Sequence, residues 1–597
     1  MIESTKLKQA EVSQNWAVQL TVADGLLALI LLGAAVLRFV NLGWLPLSEN
    51  EAELAWSVWR LWQPGMENLT ISSPAYFTLT SLLVNIFGFG DGVMRLVPAV
   101  FGLGVVGLPW LLRRQIGTIA ALVSCGLLAL SPLNVLVSRT TGGESLALFA
   151  LLLLIVAVVR YQETAATHWF YLSAAAIGFG LTTTTLFYGG LVTVLGAWFI
   201  LSRFDQTVNQ ADEETSEVSS DLRSPTSPVF NGHERRNAIL MGAAVFAASG
   251  AVFLWYPAGL GATAQLLGDW LMQFGASSGR SLPDPYLAIL RYEPALIILG
   301  FGGIAWAIWK NHRTALFFVY WYCLILVLML VQVGEMSNVL LLTLPGYLLV
   351  GMLARAILNG RWTILTWLIA AGMTLIFMLL FINLARYLRV VRFNPEDTQH
   401  ILVMLLAVSF TGVILYLLMT LDLTAVGQGL FLAVLAFFIF FSWGTAWWMG
   451  HEAANDPRER WVPSGTDDDV RLLLSNLKSL SRQFSNSDTG LNLASSVNTA
   501  VLRWYLRDFN NAQIGETLPL NASYDVLITP MQTELPVNDN YTGSDYEFNR
   551  LEPLPTAAVG NLAINFVETL RWWLFHDSEA KWEIEQIILW VRADLTS

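Results

Sequence analysis

Charge is scarce in this 597-residue chain: Asp, Glu, Lys and Arg together make up 13%. A soluble chain averages about 25%. Cysteine is almost missing. Cys125 and Cys323 are the only two, and each sits in an apolar run, which excludes a disulfide framework and a cysteine metal cluster. The six histidines are scattered without ligand spacing. No glycine-rich phosphate loop and no GxSxG elbow is found, so the usual signals for nucleotide binding and serine hydrolysis are missing. Basic residues are outnumbered and the net charge is −12, which argues against a nucleic-acid partner.

The chain is instead 55% hydrophobic, with a mean hydropathy of +0.54. The excess lies in runs of about 20 apolar residues, the length that crosses the hydrocarbon core as a helix. Thirteen spans are expected: 23–41, 92–112, 117–137, 144–161, 168–184, 187–203, 237–256, 292–309, 315–333, 338–358, 363–385, 399–420 and 427–449. The 24 Trp suit a chain with many interfacial positions. Basic residues concentrate in loops on one side, so the N-terminal segment 1–22 is read as cytoplasmic. That places the long first loop, 42–91, and the tail, 451–597, outside the cell membrane. Segment 205–236 is polar, acidic and aperiodic, and reads as a disordered cytoplasmic linker. The tail alternates helix-like and strand-like pieces. DDDVRLLLSNLKSL and TAVLRWYLRDF read as helices, LNLASSV and DVLITP as strands, and KWEIEQIILWVR as either. The expected architecture is therefore an all-α polytopic membrane domain, 23–450, followed by a small extracytoplasmic α/β domain.

The first outer loop carries Glu49, Glu51 and Glu53 within five residues. Acids often begin helices, where they favour the dipole. They also serve as general bases or as ligands for a hard divalent cation such as Mg or Mn. Residues 50–63 have amphipathic spacing and are expected to lie on the membrane, with 74–87 as a second such helix. A second candidate is SRTTGGES, 138–145, in which Glu144 would join the acidic site and Arg139 orient it or bind an anion. In ARYLRVVR, Arg386, Arg389 and Arg392 share one helical face. They would anchor in anionic headgroups, the commoner use of such arginines, or clamp a lipid-linked phosphate bidentately. Loop 257–291, with Asp269, is an acceptor-side lid or a plain connector.

These acidic positions, with FGFGDGVMRLVPAVFGLGVVGLPWLLRRQIGTIAALVSCGLLALSPLNVLVSRTTGGESLALF after them, resemble the GT-C membrane glycosyltransferases. The likeness is to the dolichyl-phosphate-mannose protein mannosyltransferase-like branch. Within it the chain is similar to the flippase-activity-associated group of archaeal N-glycosylation, over about residues 25–200. The resemblance implies helices enclosing an outer-face cavity, a polyprenyl-phosphate-linked sugar as donor and an inverting transfer to a glycan or protein acceptor. It implies catalytic roles for Glu49, Glu51 and Glu144 and substrate contacts at Asn50, Arg139, Arg386 and Arg389. Glu49 and Glu51 are also candidate metal ligands. In the family an Asp-Glu pair opens the first outer loop. Aligned on Ala52, the pair here is Asn50-Glu51, and the amide cannot act as a base. The family's HGP-like stretch is SSPAY at 72–76. Two functions follow: a membrane glycosyltransferase, or a catalytically degenerate lipid-glycan binding or flippase-associated protein.

Overall fold

The computed structural model describes residues 21–595 except 65–68, 70, 214–231, 276–279, 389–397, 421, 460, 463, 519–523, 532–540, 552–565 and 577–581. Its first helix, α1 (Val22–Phe39), opens on a capping box between Thr21 and Asp24. The first loop folds into α2 (Glu49–Arg60) and α3 (Pro74–Phe87), and α4 (Leu96–Gly107) returns to the bundle. Next come α5 (Thr118–Leu130), α6 (Pro132–Arg139), α7 (Glu144–Thr164), α8 (Thr167–Gly180), α9 (Thr185–Glu213) and α10 (Gly232–Gly250). The bundle continues through α11 (Gly259–Met272), α12 (Pro283–Tyr292), α13 (Pro294–Lys310), α14 (Arg313–Val331), α15 (Asn338–Leu358), α16 (Ile364–Arg386), α17 (Thr398–Met419) and α18 (Leu423–His451).

Among the described residues, nine helices are long and apolar enough to cross a membrane, or eleven if two bent pairs each count as one span. The chain is thus a multi-pass membrane protein. Two of the thirteen expected spans are not matched by a helix of that length and composition among the described residues. Helix α8 has only 14 residues, about 21 Å at 1.5 Å per residue, too short for the hydrocarbon core. Helix α10 starts with His233, Glu234, Arg235 and Arg236, which leaves only a short apolar stretch. The linker expectation also changes, because α9 and α10 extend into both ends of 205–236. Residues 214–231 lie outside the described residues.

The two bent pairs break at proline. Helices α5 and α6 meet at 56° before Pro132, and α12 and α13 at 95° before Pro294. Proline supplies no backbone N–H, so each ring ends one helix and begins the next. The breaks are joined to each other. The Glu293 carboxylate accepts from Ser131 Oγ at 2.5 Å, from the Leu133 amide at 3.2 Å and from the Tyr347 hydroxyl. Helix α15, which carries Tyr347, runs through the middle of the bundle and is buried along most of its length.

The tail forms a six-stranded sheet in the order β1-β5-β6-β4-β2-β3. Its strands are β1 (Ser464–Thr466), β2 (Leu493–Ser495), β3 (Ala512–Ile514), β4 (Val526–Pro530), β5 (Tyr541–Leu551) and β6 (Glu583–Arg592). Strand β2 pairs in parallel with β3 and β4, and the other pairings are antiparallel. Helices α19 (Asp469–Ser485), α20 (Ala500–Tyr505) and α21 (Phe566–Phe575) complete the unit. KWEIEQIILWVR resolves as a strand, β6, whose alternating Ile587, Leu589 and Val591 are buried.

The sheet domain is docked on the first loop. Leu47, Ala52, Ala55 and Val58 share one core with Val501, Leu502 and Trp504. This corrects the expectation that α2 lies on the membrane: its apolar stripe faces the tail domain instead. Asp91 fastens the same contact, accepting from Arg471 at 2.8 Å, from Trp504 Nε1 at 2.9 Å and from Tyr505 at 2.9 Å.

Candidate functional site

A cavity of about 560 Å³ opens where α2, the loop before α7, the start of α9 and helix α11 meet the beginning of the tail. Asn50, Glu51, Glu53, Glu144 and Asp269 line it, so four carboxylates converge on one hollow. Glu53 and Asp269 are exposed, and Glu144 is half-buried.

Three helices begin together at this cavity. Ser73 is the residue before α3, Gly143 the residue before α7, and α9 starts at Thr185. A methyl group on Gly143 would collide with Ser73 Oγ and, at 2.7 Å, with the Thr184 methyl, so glycine is required for the three starts to meet. Gly142 has a φ of +149°, a conformation that also favours glycine, and any side chain there would strike the Glu144 carboxylate. Ser73, Thr141 and Thr184 line the cavity, with their hydroxyl oxygens turned into its wall; among the described residues Ser73 Oγ and Thr184 Oγ1 have no hydrogen-bond partner, and Thr141 Oγ1 lies against the Tyr76 hydroxyl. Free amides at helix starts carry partial positive charge and favour anions. Together with unpaired hydroxyls they can hold phosphate oxygens without a cationic side chain. Among the described residues, no Lys or Arg lines the cavity.

The expected residues divide sharply. Glu51 reaches the cavity but is fully engaged. It takes Nε and Nη2 of Arg95 at 2.8 and 2.6 Å, the Thr141 amide at 2.9 Å and the Ser48 amide at 3.1 Å. Arg95 also donates to the carbonyls of Leu42, Leu45 and Pro46. Burial would lower the Arg95 guanidinium, but the Glu51 charge and hydrogen bonds outweigh it and raise it. A carboxylate so held orders the first loop and is poorly placed to take a proton.

Glu49 does not line the cavity. It accepts from the Ala500 amide at 2.6 Å and the Val501 amide at 3.2 Å, capping α20 across the domain contact. Glu49 and Glu51, the candidate metal ligands, are thus both engaged by protein donors. Among the described residues, no three His, Cys, Asp or Glu side chains are grouped to hold one. Arg139, expected on an anion, spends its guanidinium on backbone carbonyls. Nε bonds Gly450 at 2.7 Å, Nη1 bonds Leu37 and Val40 at 3.0 and 2.8 Å, and Nη2 bonds Asn41 at 3.2 Å. It ties the ends of α1 and α18 together. Arg386 is exposed at the end of α16 and does not line the cavity. Arg389 and Arg392 lie outside the described residues.

Glu144 and Asn50 are the expected residues whose side chains reach the cavity without a hydrogen bond to another side chain among the described residues. The hydroxyl cluster was missed in the sequence. Its signals were the SSP of 72–74 and the four threonines of 182–185, residue types that precede helices. A second hollow of about 580 Å³ is almost wholly apolar. It lies among α12, α13, α16, α17 and α18, with Phe377, Phe381, Phe437 and Phe441 in its wall.

Residues 72–210 match the family model described as dolichyl-phosphate-mannose-protein mannosyltransferase. No curated protein sequence matches the chain. The crystal structure of ArnT from Cupriavidus metallidurans in the apo state is similar with a TM-score of 0.55 at 14% identity, covering 96% of this chain and 99% of that one. The structure of ArnT from the same organism bound to undecaprenyl phosphate gives 0.51 at 15% identity, over 85% and 93%. The matched segment spans α3 to α9 and holds Ser73, Arg95, Thr141 and Glu144, and the fold shared with the two ArnT structures extends over 85–96% of the chain.

Proposed function

We propose that this protein is an integral-membrane glycosyltransferase that moves a sugar from a polyprenyl-phosphate donor to an acceptor on the outer face of the membrane. The observation that carries the reading is Glu144. Its carboxylate faces the cavity with no cationic partner among the described residues, beside three helix starts and the hydroxyl residues Ser73, Thr141 and Thr184. In this reaction an acceptor hydroxyl or amide attacks the anomeric carbon. Its proton passes to Glu144 as general base. The bond from the anomeric carbon to the phosphate oxygen breaks, and polyprenyl phosphate leaves with the electron pair. Ser73, Thr141, Thr184 and the helix-start amides stabilise the charge that develops on the departing phosphate. Glu51 positions the loop through Arg95, and Asn50, Glu53 and Asp269 contact the sugar or acceptor. The apolar hollow beside α16–α18 suits the isoprenoid tail, and a solved structure of similar fold is bound to undecaprenyl phosphate.

The purified chain, supplied with a panel of polyprenyl-phosphate sugars, should release polyprenyl phosphate, and Glu144→Gln should suppress that release. The second reading, a degenerate lipid-glycan binding or flippase-associated protein, is favoured by one observation. The family's Asp position is Asn50, and the adjacent Glu51 is locked by Arg95. It predicts donor binding without turnover, equal in wild type and Glu144→Gln.

A further inference from the structure

Helix α2 has a second polar face. Glu49, Glu53, Trp56, Arg60 and Gln63 recur at intervals of four and three residues, the spacing of one helical stripe. This stripe does not line the Glu144 cavity, except at Glu53. It forms one wall of a separate cleft of about 830 Å³, whose other wall comes from the tail domain and includes Asn498, Arg503 and Asn510. Glu53 lines both hollows, so the cleft runs up to the cavity's edge.

The chemistry of the cleft is specific. Trp56 and Trp59 stack with ring centroids 4.7 Å apart and planes inclined by 22°, and both remain half-exposed in it. Around the outer face of this stacked pair are planar groups with paired donors or acceptors: carboxylates, carboxamides and guanidinium groups. Arg503 is held in place by its 2.6 Å bond to Asn498 Oδ1. A sugar ring matches such a wall. Its C–H face packs on an indole, and its neighbouring hydroxyls bridge the two atoms of a planar side chain. A lipid tail does not suit this polar lining. The edge strand beside the cleft, β3, is three residues long and offers little backbone for a peptide to pair with as an added strand. Helix α2 is about 18 Å long at 1.5 Å per residue, room for several sugar rings in a row.

We propose that this cleft binds an oligosaccharide acceptor, with one sugar ring packed on the outer face of the Trp56–Trp59 stack and its end delivered past Glu53 into the Glu144 cavity. The inference rests on the transfer reaction proposed above and names its acceptor class.

The test uses the full chain in nanodiscs and a panel of short mannan, glucan, galactan and chitin oligosaccharides, with an Asn-X-Ser/Thr peptide as counter-probe. Binding is read by saturation-transfer NMR. At least one oligosaccharide is expected to bind, and Trp56→Ala with Trp59→Ala should weaken it by about tenfold or more. Arg503→Ala, on the opposite wall, should weaken the same ligand. Polyprenyl-phosphate binding by each preparation reports that the bundle is folded. Binding of the peptide alone, binding of no oligosaccharide, or binding indifferent to all three substitutions overturns the proposal. Glu144→Gln separates the two readings. It should stop donor turnover while oligosaccharide binding persists, so a failure of catalysis and a failure of this cleft give different results.

Discussion

Glu51 and Arg95, 44 residues apart, form a bidentate buried pair with side chains 6% and 4% exposed. The pair fastens the first turn of α2 to the entry of α4, and its two amide partners bring Ser48 and Thr141 to the same carboxylate. Breaking one side of such a pair leaves an uncompensated buried charge. Glu51→Ala should therefore cost about 3–5 kcal/mol. Thermal unfolding in detergent should show the loss, and Glu51→Gln, which keeps the acceptor oxygen, should fall in between.

Glu49 acts between domains. Its carboxylate satisfies two amides at the start of α20, a duty worth about 0.5–2 kcal/mol in a helix cap. Glu49→Ala should speed hydrogen exchange at the Ala500 and Val501 amides and loosen the tail domain from α2. It should leave the exchange of α15 unchanged.

Acid should release the last helix of the tail. Glu459 pairs with Arg291 Nη2 at 2.6 Å, and His576 Nδ1 lies 3.0 Å from the same carboxylate. Burial alone would raise the Glu459 carboxyl, but Arg291 and the His576 contact outweigh it and hold it well below the usual range. Burial lowers His576 against the opposing pull of Glu459. Both groups are depressed in the folded state, so both stabilise above their ordinary values and lose that contribution as pH falls. The loss starts below the usual histidine value of 6.5 and deepens below the usual glutamate value of 4.5. Limited proteolysis around 566–576 against pH should show sensitivity rising on acidification, and less steeply in His576→Gln.

The linked helix breaks give a fourth expectation. Glu293 accepts three hydrogen bonds where α5–α6 and α12–α13 meet. Glu293→Ala strands those donors in the bundle, at about 1–3 kcal/mol for each one left unpaired. Glu293→Gln keeps an acceptor and should retain most of the stability, as measured by the thermal midpoint in detergent.

Much of this architecture was legible before any coordinates. Long apolar runs place the spans, because a bilayer admits few alternatives to helix. The acidic residues of 49–53 and 144 stand out because charge is otherwise scarce. Two of the tail's strands are readable in LNLASSV and DVLITP, whereas the run that holds Ile587, Leu589 and Val591 leaves helix and strand open until the sheet pairs it. What the sequence hides is commitment. Nothing in it says that Arg95 claims Glu51, that α20 claims Glu49, or that four backbone carbonyls claim Arg139, since those partners lie tens to hundreds of residues away. The hydroxyl cluster is hidden for the same reason. Ser73, Thr141 and Thr184 converge only when three helix starts pack against Gly143. The spacing of α2 reveals its apolar stripe but not that the tail domain rather than the membrane covers it, because periodicity reports a buried face and not what buries it.

The central claim is that Glu144, and not the first-loop glutamates, takes the acceptor's proton. The direct measurement is the initial rate of polyprenyl-phosphate release by folded wild type, Glu144→Gln and Glu51→Gln with the same donor and acceptor. The account predicts that Glu144→Gln loses about 10²–10⁴-fold in rate while still binding the donor, and that Glu51→Gln loses activity only in proportion to its lost stability. Full activity in Glu144→Gln would contradict it.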